Sequence, residues 1–359
     1  MNAIVRHIDL PAHRRVFAVS DIHGHLDYFK GLLEKLRFST EDILIILGDL
    51  VDKGPRSVDT LRYVMQLCKT HTVHVLQGNC DRILFDPLPN QWLLHYLSSW
   101  NGHLLINEFA ALLGYVVRKP EDLDGLRTAI LESFPEECAF LSSLPTILEN
   151  DEYIFVHGGV PRETRLDELD AWSCMKNDNF LGQGHHFRRW CIVGHWPATL
   201  YHEHYPCANP LVSREQHIVS IDGGCVIKAD GQLNALHIPP KPDGNFTWTA
   251  YDSLPTAVAA EAQAPSEDSF NIRFGDNALK LLEQGAEFST CLHLSSGRRM
   301  KILTRDLWIT EKGVFCEDST DYHLSVQPGD VLSIVHETSR GRLAKKDGIV
   351  GWYTGALMG

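Results

Sequence analysis

Five short apolar runs, each ending in a polar or glycine-containing turn, constrain the fold of this chain more than any other feature. Runs that are apolar at nearly every position are typical of strands covered on both faces, and such strands form parallel or mixed sheets. Their spacing leaves room for a helix after each of the first two. The runs are VFAVSD (16–21), ILIILGD (43–49), VHVLQGN (73–79), YIFVHGG (153–159) and CIVGH (191–195).

The stretches between the first runs have the spacing of amphipathic helices. Leu26, Phe29, Leu32, Leu33 and Leu36 recur every three or four residues, and a second such stretch begins at residue 58. A strand–helix–strand order predicts an α/β domain with an at least partly parallel sheet. Over residues 218–239, two strand-like runs flank an Asp-Gly pair, which predicts an antiparallel hairpin that closes the sheet.

The composition changes after residue 242. Residues 243–270 are rich in Pro, Ala, Ser and acidic residues without sustained periodicity, as in a linker. From Asn271, short strand-like runs alternate with glycine turns, which favours a small all-β barrel. We therefore predict an α/β domain over residues 1–242, a linker over 243–270 and a barrel over 271–359.

Charge and cysteine usage narrow the class of protein. A formal net charge of −13 argues against sequence-independent nucleic-acid binding and against an anionic membrane surface. No apolar run approaches the ~20 residues that span a bilayer, and the N-terminus lacks a signal-peptide pattern. The nine cysteines are scattered and never form a CxxC pair, which suits a reducing compartment. We expect a cytoplasmic protein that binds neither nucleic acid nor membrane.

Polar side chains that can bind metal ions follow each of the five apolar runs. In open α/β sheets, ligands bind outside the carboxyl ends of the strands, so these side chains are expected to converge. Oxygen ligands and imidazoles suit manganese, iron or zinc better than a thiolate site would. The residues at the strand ends are Asp21, His23, Asp49, Asp52, Asn79, Asp81, His157 and His195.

Five blocks of sequence resemble a known family. SDIHGH, GDLVDKGPRS, GNCD, VHGG and VGHWP are similar, in order and spacing, to the signature blocks of the phosphoprotein phosphatase family of calcineurin-like metallophosphoesterases. The resemblance covers about residues 16 to 240, and SIDGGC resembles the bacterial members, which include the diadenosine tetraphosphatases. It implies a metallophosphoesterase α/β sandwich of two mixed sheets flanked by helices. KKDGIVGWYTGAL, near the C-terminus, resembles a bacterial Src-homology-3-like domain.

The resemblance also implies two divalent metal ions, with manganese expected and iron or zinc as alternatives. A hydroxide that bridges the two ions would attack the phosphoryl group of the substrate. The Asp49 carboxylate would be shared by both ions. The first ion would be held by Asp21, His23 and Asp49, and the second by Asp49, Asn79, His157 and His195.

The chain departs from the family pattern at phosphate binding. Lys53 occupies the place of the usual arginine, so it keeps the charge but loses the bidentate fork. Arg56 is an alternative phosphate contact, or else a surface residue at the start of a helix. A second phosphate-binding arginine, common between the fourth and fifth blocks, is also missing. The alternatives for it are Lys176, Arg162, Arg188 and Arg189.

Cys80 replaces the histidine that, in the family, is thought to protonate the leaving group with support from the Asp52 position. A thiol is a poorer acid for an alkoxide, so Cys80 would favour aryl or phosphoanhydride leaving groups. Alternatively, Cys80 is a small buried residue that only packs beneath the site. Covalent catalysis by Cys80 is disfavoured because a metal-bound hydroxide would already supply the nucleophile.

The resemblance, together with these residues, implies a dinuclear metal-dependent phosphoesterase that hydrolyses phosphomonoesters of a protein or a small molecule. One alternative is a dinucleoside polyphosphate hydrolase or nucleotide phosphodiesterase, and another is a catalytically weak metal-binding interaction module. In the C-terminal region, Trp308, Trp352 and Tyr353 either form an aromatic face for a peptide ligand or pack in the barrel core.

Overall fold

The computed structural model describes residues 1–358, which divide into two compact units. The first unit contains residues 1–197 and 210–252. The second unit contains residues 198–209 and the chain from residue 253 onwards. The twelve residues 198–209 therefore pack with the C-terminal part of the chain, although they lie within the sequence of the first unit.

The first unit contains two mixed sheets. The strands of this unit are β1 (Val5–His7), β2 (Val16–Val19), β3 (Ile43–Ile46), β4 (Thr72–Val75), β5 (Ile147–Glu149), β6 (Tyr153–Val156), β7 (Trp190–Val193), β8 (Leu211–Ser213), β9 (Ile218–Ser220), β10 (Leu233–His237) and β11 (Thr247–Tyr251). One sheet has the order β1-β5-β6-β7-β9-β8 and the other β11-β10-β2-β3-β4. Each sheet combines parallel and antiparallel pairs.

Helices cover the outer faces of both sheets, and most of them pack on the five-stranded sheet. The helices are α1 (Leu26–Leu36), α2 (Ser57–Thr70), α3 (Asn90–Leu97), α4 (Leu105–Leu113), α5 (Asp122–Ser133), α6 (Pro135–Ser142) and α7 (Ala171–Met175). The parallel strands β2, β3 and β4 are joined through α1 and α2, as the alternating pattern predicts. The five apolar residues of α1 that follow helical spacing are all buried. Each such burial contributes on the order of 1.5–3 kcal/mol relative to exposure.

Three apolar layers hold this unit together. The middle layer lies between the two sheets, where Ala18 and Ile45 meet Phe155 and Ile192. A second layer packs α1 to α6 on the five-stranded sheet, and a third packs α7 on the outer face of the other sheet. The predicted α/β sandwich of two mixed sheets flanked by helices is therefore confirmed.

The second unit is all-β, as predicted. Its strands are β12 (Thr256–Val258), β13 (Asn271–Ile272), β14 (Ala278–Glu283), β15 (Phe288–His293), β16 (Arg299–Leu303), β17 (Leu307–Thr310), β18 (Gly313–Cys316), β19 (Ser319–Thr320), β20 (Val331–Thr338), β21 (Gly341–Lys346) and β22 (Ile349–Tyr353). They form sheets of four (β12-β20-β21-β22), two (β13-β19) and five strands (β16-β15-β14-β18-β17). Trp352 and Tyr353 are 3% and 0% exposed, so they pack in the core rather than form an open peptide-binding face, whereas Trp308 is exposed.

Two features predicted from the sequence differ from the structure. The runs at 218–239 do not form a hairpin, because β9 pairs with β7 and β8 while β10 pairs with β2 and β11 in the other sheet. The range predicted as a linker, 243–270, contains β11 and β12, which pair with β10 and β20. Backbone pairing with an existing edge orders these short segments despite their linker-like composition. The domain boundaries at residues 242 and 270 stay a prediction.

None of the helices within residues 1–358 has the length and apolar character needed to cross a membrane.

Candidate metal centre

The predicted ligands follow strands of both sheets in the first unit. Asp21, Asp49 and Asn79 come after β2, β3 and β4 of the five-stranded sheet. His157 and His195 come after β6 and β7 of the six-stranded sheet. The carboxyl ends of parallel strands meet at one edge, so the fold brings together residues that are far apart in the sequence.

His23 and Cys80 both lie close to the Asp49 carboxylate. The His23 Nε2 atom is 3.6 Å from Asp49 Oδ2 and 3.7 Å from Asp21 Oδ1. The potential ligand atoms of His23, Asp49 and Cys80 all lie within 4.8 Å of one another. The backbone N–H of Cys80 donates to Asp49 Oδ1 at 2.8 Å. The thiol is therefore beside the predicted first metal site.

His157 and His195 approach the same carboxylate. His157 Nε2 is 3.5 Å from Asp49 Oδ1, and its Nδ1 atom contacts the Leu47 carbonyl at 2.8 Å. The potential ligand atoms of Asp49, His157 and His195 lie within 4.8 Å of one another. Asp49 thus belongs to two clusters, which is the arrangement that a carboxylate shared by two ions requires.

Neighbouring charges and burial shift the pKa values of the side chains in the centre. Burial acts to raise the pKa of Asp49, but His157, His23 and Lys53 hold it well below its usual range. Burial, followed by the positive charge of Lys53, lowers the pKa of His23 to about 4. Burial acts to lower the pKa of His157, yet the carboxylates of Asp49 and Asp21 raise it to about 9. The carboxylate between these groups is held as an anion.

The backbone of the centre is strained. Asp21, His23, Asp49 and His195 have φ values of 55°, 49°, 49° and 67°. Left-handed backbone costs a residue with a side chain on the order of 1–3 kcal/mol, and such residues cluster at functional sites. The surrounding structure also demands glycine, because a Cβ atom on Gly78 would lie 2.2 Å from the Asp49 Oδ1 atom.

The side chains of the centre fit divalent cations. Asp21 Oδ1, Asn79 Oδ1 and His157 Nε2 are buried and have no hydrogen-bond partner. A buried polar atom without a partner costs on the order of 1–3 kcal/mol, and the two predicted ions together would satisfy all three atoms. All three atoms belong to predicted ligands. Because they are oxygen and imidazole nitrogen atoms, they suit hard or borderline cations.

Cys80 and Asp81 have different surroundings. Cys80 is 4% exposed, and its sulfur accepts a hydrogen bond from the Asn79 amide at 3.4 Å. Burial, together with the Asp49 charge, raises the pKa of the Cys80 thiol well above its usual value. The Asp81 carboxylate accepts from the N–H groups of Leu50 and Gly78, both at 2.9 Å, so it shapes the turn.

Asp52 holds the polypeptide around the site. Its Oδ2 atom accepts from the Tyr96 hydroxyl at 3.1 Å, and its Oδ1 atom accepts from the Leu105 N–H at 2.7 Å. Its own N–H donates to Ser57 Oγ at 3.0 Å. Burial raises the pKa of Asp52 to about 7. Both carboxylate oxygens therefore face α3 and α4, and a role of Asp52 in acid catalysis stays a prediction.

The two predicted phosphate-binding residues are placed differently. The Lys53 Nζ atom is 3.3 Å from His23 Nε2, beside the centre. The Arg56 guanidinium instead pairs with Asp27 at 3.0 Å and with Asp59 at 2.9 Å, at the start of α2. Lys53 thus lies beside a predicted metal ligand, whereas Arg56 already has two carboxylate partners. A phosphate contact through either residue stays a prediction.

Sequence reasoning missed Asp178. His195 Nε2 contacts Asp178 Oδ1 at 2.7 Å, and Lys176 Nζ lies 2.5 Å from the same oxygen and 3.2 Å from His195 Nε2. Lys176 is therefore the candidate for the second phosphate contact that lies beside a predicted metal ligand. By contrast, Arg189 pairs with Glu149 and Glu163, and Arg162 with Glu168. The only hint of this role in the sequence is that Asp178 lies in the region where the family has its second arginine.

Two bacterial enzymes are similar in sequence to part of this chain. The symmetrical bis(5′-nucleosyl)-tetraphosphatase of Vibrio parahaemolyticus is 30% identical over 170 residues, which is 47% of this chain and 52% of that enzyme. The chain thus spans about half the length of this relative. The asymmetrical bis(5′-nucleosyl)-tetraphosphatase PrpE of Bacillus subtilis is 25% identical over 244 residues, 62% of this chain and 89% of that enzyme.

Similar solved structures include a cold-active protein-tyrosine phosphatase of a psychrophilic Shewanella species. It has a TM-score of 0.44 and 15% identity, and the similarity covers 68% of this chain and 81% of that one. The family model described as calcineurin-like phosphoesterase matches residues 14–222, which is more than half of this chain and includes all six predicted metal ligands. The chain therefore belongs to the calcineurin-like phosphoesterase family.

Proposed function

We propose that this protein is a dinuclear metal-dependent phosphoesterase that acts on substrates with good leaving groups, foremost dinucleoside polyphosphates. The observation that carries this proposal is the thiol of Cys80 at a position beside His23 and Asp49 where the family has an imidazole. A buried thiol with a raised pKa is a weak proton donor. Phosphoanhydrides need less protonation of the leaving group than alkyl esters do. The names of the two relatives support the same substrate class.

Two divalent ions, manganese in our proposal, would bind to the six predicted ligands. Bound ions of this kind make a hydroxide available near neutral pH and neutralise phosphoryl oxygens. The orphaned oxygens of Asp21 and Asn79 and the Nε2 atom of His157 support this ligand set. Asp49 lies between His23 and His157, which supports its role as the shared carboxylate.

The other side chains of the site would bind and orient the substrate. The Lys53 ammonium can contact a phosphoryl oxygen beside His23. Lys176 lies beside His195, so a second cation can contact another phosphate of a polyphosphate chain. The Asp52 carboxylate fixes the segment around Tyr96 and Leu105 and so shapes the wall of the site.

A substrate panel tests the proposal. We expect kcat/KM with added Mn²⁺ to be highest for diadenosine tetraphosphate, lower for p-nitrophenyl phosphate and lowest for a phosphoserine peptide. Asp49→Asn should abolish all three activities. Asp59→Asn, which removes a carboxylate that pairs with Arg56, is the matched control and should retain them. Faster turnover of phosphoserine than of the anhydride, or full activity of Asp49→Asn, would contradict the proposal.

The second candidate function is hydrolysis of phosphomonoesters, as in the phosphoprotein phosphatases. Lys53 retains a cation where that family binds phosphate, and an aryl ester such as phosphotyrosine also has a good leaving group. Efficient turnover of a phosphotyrosine peptide without turnover of diadenosine tetraphosphate would favour it. Metal binding without turnover of any substrate would favour a metal-binding interaction module instead.

For the C-terminal unit, we still propose a Src-homology-3-like domain that binds a peptide. Its all-β architecture supports the domain type. The burial of Trp352 and Tyr353 means that a peptide would have to use other side chains, and Trp308 is an exposed candidate. A cytoplasmic location also stays a prediction.

A further inference from the structure

We infer that Trp100 is a stacking platform for the nucleobase of a nucleotide whose phosphoryl group contacts Lys53. This inference rests on the proposed function and names a specificity-determining residue for it. The Lys53 Nζ atom is 3.3 Å from His23 Nε2 and 5.9 Å from the centroid of the Trp100 ring. A single ammonium group thus lies close to both a predicted metal ligand and an aromatic ring.

The Trp100 ring is exposed although the backbone that carries it is strained. Trp100 and Asn101 have φ values of 52° and 53°, and Gly102 follows with 77°. A tryptophan in left-handed backbone costs on the order of 1–3 kcal/mol. The ring is not buried in a core, since 39% of the Trp100 surface remains accessible. Strained backbone clusters at active sites and ligand-binding sites, and here it presents an exposed ring beside the Lys53 ammonium.

Asp52 fixes both ends of the segment that carries this ring. Its two carboxylate oxygens accept from the Tyr96 hydroxyl on α3 and from the Leu105 N–H at the start of α4. Trp100 lies between these two residues in the sequence. Within the segment, the Gly102 N–H donates to the Ser99 carbonyl at 3.0 Å. The residue next to Lys53 therefore holds the Trp100 turn in place, and a fixed platform loses little entropy when a ligand binds.

A nucleotide fits this pair of groups better than an alkyl phosphate does. The cation would contact a phosphoryl oxygen, and the ring offers a flat face to a planar base carried on the same nucleotide. Stacking of a base on an aromatic side chain is sequence-tolerant because every base has a π-face. The platform would therefore select nucleotides without strong preference among bases.

The test compares substrates with and without a base. We expect Trp100→Ala to lower kcat/KM for diadenosine tetraphosphate by about 5- to 150-fold and to leave inorganic tetraphosphate hydrolysis unchanged. Trp100→Phe, which keeps an aromatic face, should restore most of the loss. Trp248→Ala is the matched control, because Trp248 is 38% exposed and lies on the edge strand β11. It should leave both substrates unchanged.

A binding measurement separates this inference from the proposed function. Titration with adenosine monophosphate should quench tryptophan fluorescence of the wild-type protein and of Trp248→Ala, but far less in Trp100→Ala. If the wild type fails to hydrolyse diadenosine tetraphosphate yet shows this Trp100-dependent quench, the subsite stands and the proposed reaction is wrong. Equal losses on both polyphosphates, no loss on either, or a loss confined to a phosphotyrosine peptide would overturn the inference.

Discussion

At the scale of single residues, we propose that the thiol of Cys80 influences which leaving groups the site handles well. Its sulfur is buried, accepts from Asn79 and lies with His23 and Asp49. A sulfur nucleophile is not required at a centre that fits two divalent ions. Cys80 therefore acts either as a weak acid or only as a packing residue. The two roles predict different effects of substitution at this position.

Cys80→His should broaden the substrate range. An imidazole near neutral pKa is a better general acid, and such catalysis contributes about 10²–10⁴-fold. We expect kcat for a phosphoserine peptide to rise at least about tenfold, with little change for p-nitrophenyl phosphate. Cys80→Ser, which keeps the size of the side chain, is the control for packing and should not show this gain. Unchanged phosphoserine kinetics in a folded Cys80→His protein would assign Cys80 to packing.

Asp178→Asn should weaken binding at the second metal site. A carboxylate only accepts, so His195 Nε2 donates to Asp178 and leaves its Nδ1 lone pair for an ion. Loss of such an outer partner typically costs 10–100-fold in metal affinity. Calorimetric titration with Mn²⁺ measures this directly. Lys176→Gln retains the His195–Asp178 contact and should change the affinity less. An unaltered dissociation constant in Asp178→Asn would contradict the positioning role.

The residues of the centre could be predicted from the sequence to different degrees. Asp21, Asp49 and His157 were predictable because each comes directly after an apolar strand, and the fold only has to place the strand ends together. Asp178 was not, since it reaches His195 across a turn whose path no periodicity reveals. Likewise, the sequence gives no sign that Asp52 bonds to Tyr96.

At the scale of elements, local patterns predicted strands and helices better than their partners. The buried runs of β9 and β10 are both strands, yet each finds its neighbours in a different sheet. An Asp-Gly pair makes a tight turn possible but does not decide whether the flanking strands pair. Similarly, β11 forms in a segment of linker-like composition because β10 offers it an edge.

Asp42→Asn should destabilise the turn between α1 and β3. The buried Asp42 carboxylate accepts from Arg15 Nε and Nη2 at 2.8 and 2.7 Å and from the Ser39 N–H at 2.8 Å. Burial opposes the charge, but Arg15 and Ser39 keep the pKa of Asp42 below its ordinary value of 3.8. We expect a loss of about 1–3 kcal/mol in the free energy of unfolding at pH 7.

The pH dependence of this loss follows from the sign of the shift. A carboxyl whose pKa is lowered by folding stabilises the protein above its unfolded pKa and loses that contribution as the pH falls. The difference between wild type and Asp42→Asn in urea unfolding should therefore narrow below about pH 4. Asp9→Asn removes a carboxylate whose side chain is 95% exposed and should change stability by less than about 0.5 kcal/mol. A pH-independent difference would show that packing, not charge, is responsible.

At the scale of the whole molecule, the two compact units are not two continuous stretches of the sequence. Residues 198–209 belong to the C-terminal unit, where the Asn271 amide donates to the His202 carbonyl at 2.9 Å and the Val350 N–H donates to the Pro206 carbonyl at 3.0 Å. Composition marks where a chain becomes linker-like, but it cannot show that a segment packs with residues 70 to 150 positions later.

Metal ions should stabilise the first unit because their ligands come from both of its sheets. Asp21, Asp49 and Asn79 follow strands of one sheet, and His157 and His195 follow strands of the other. A ligand at 100 times its dissociation constant adds about 2.7 kcal/mol to the stability of the folded state. For a unit of this size we expect a rise in Tm of about 5–10 °C on adding Mn²⁺ to chelator-treated protein.

Asp49→Asn should lose most of this rise in Tm, because both clusters include this carboxylate. Asp59→Asn should keep it, and an equal rise in both variants would place the stabilising ion elsewhere.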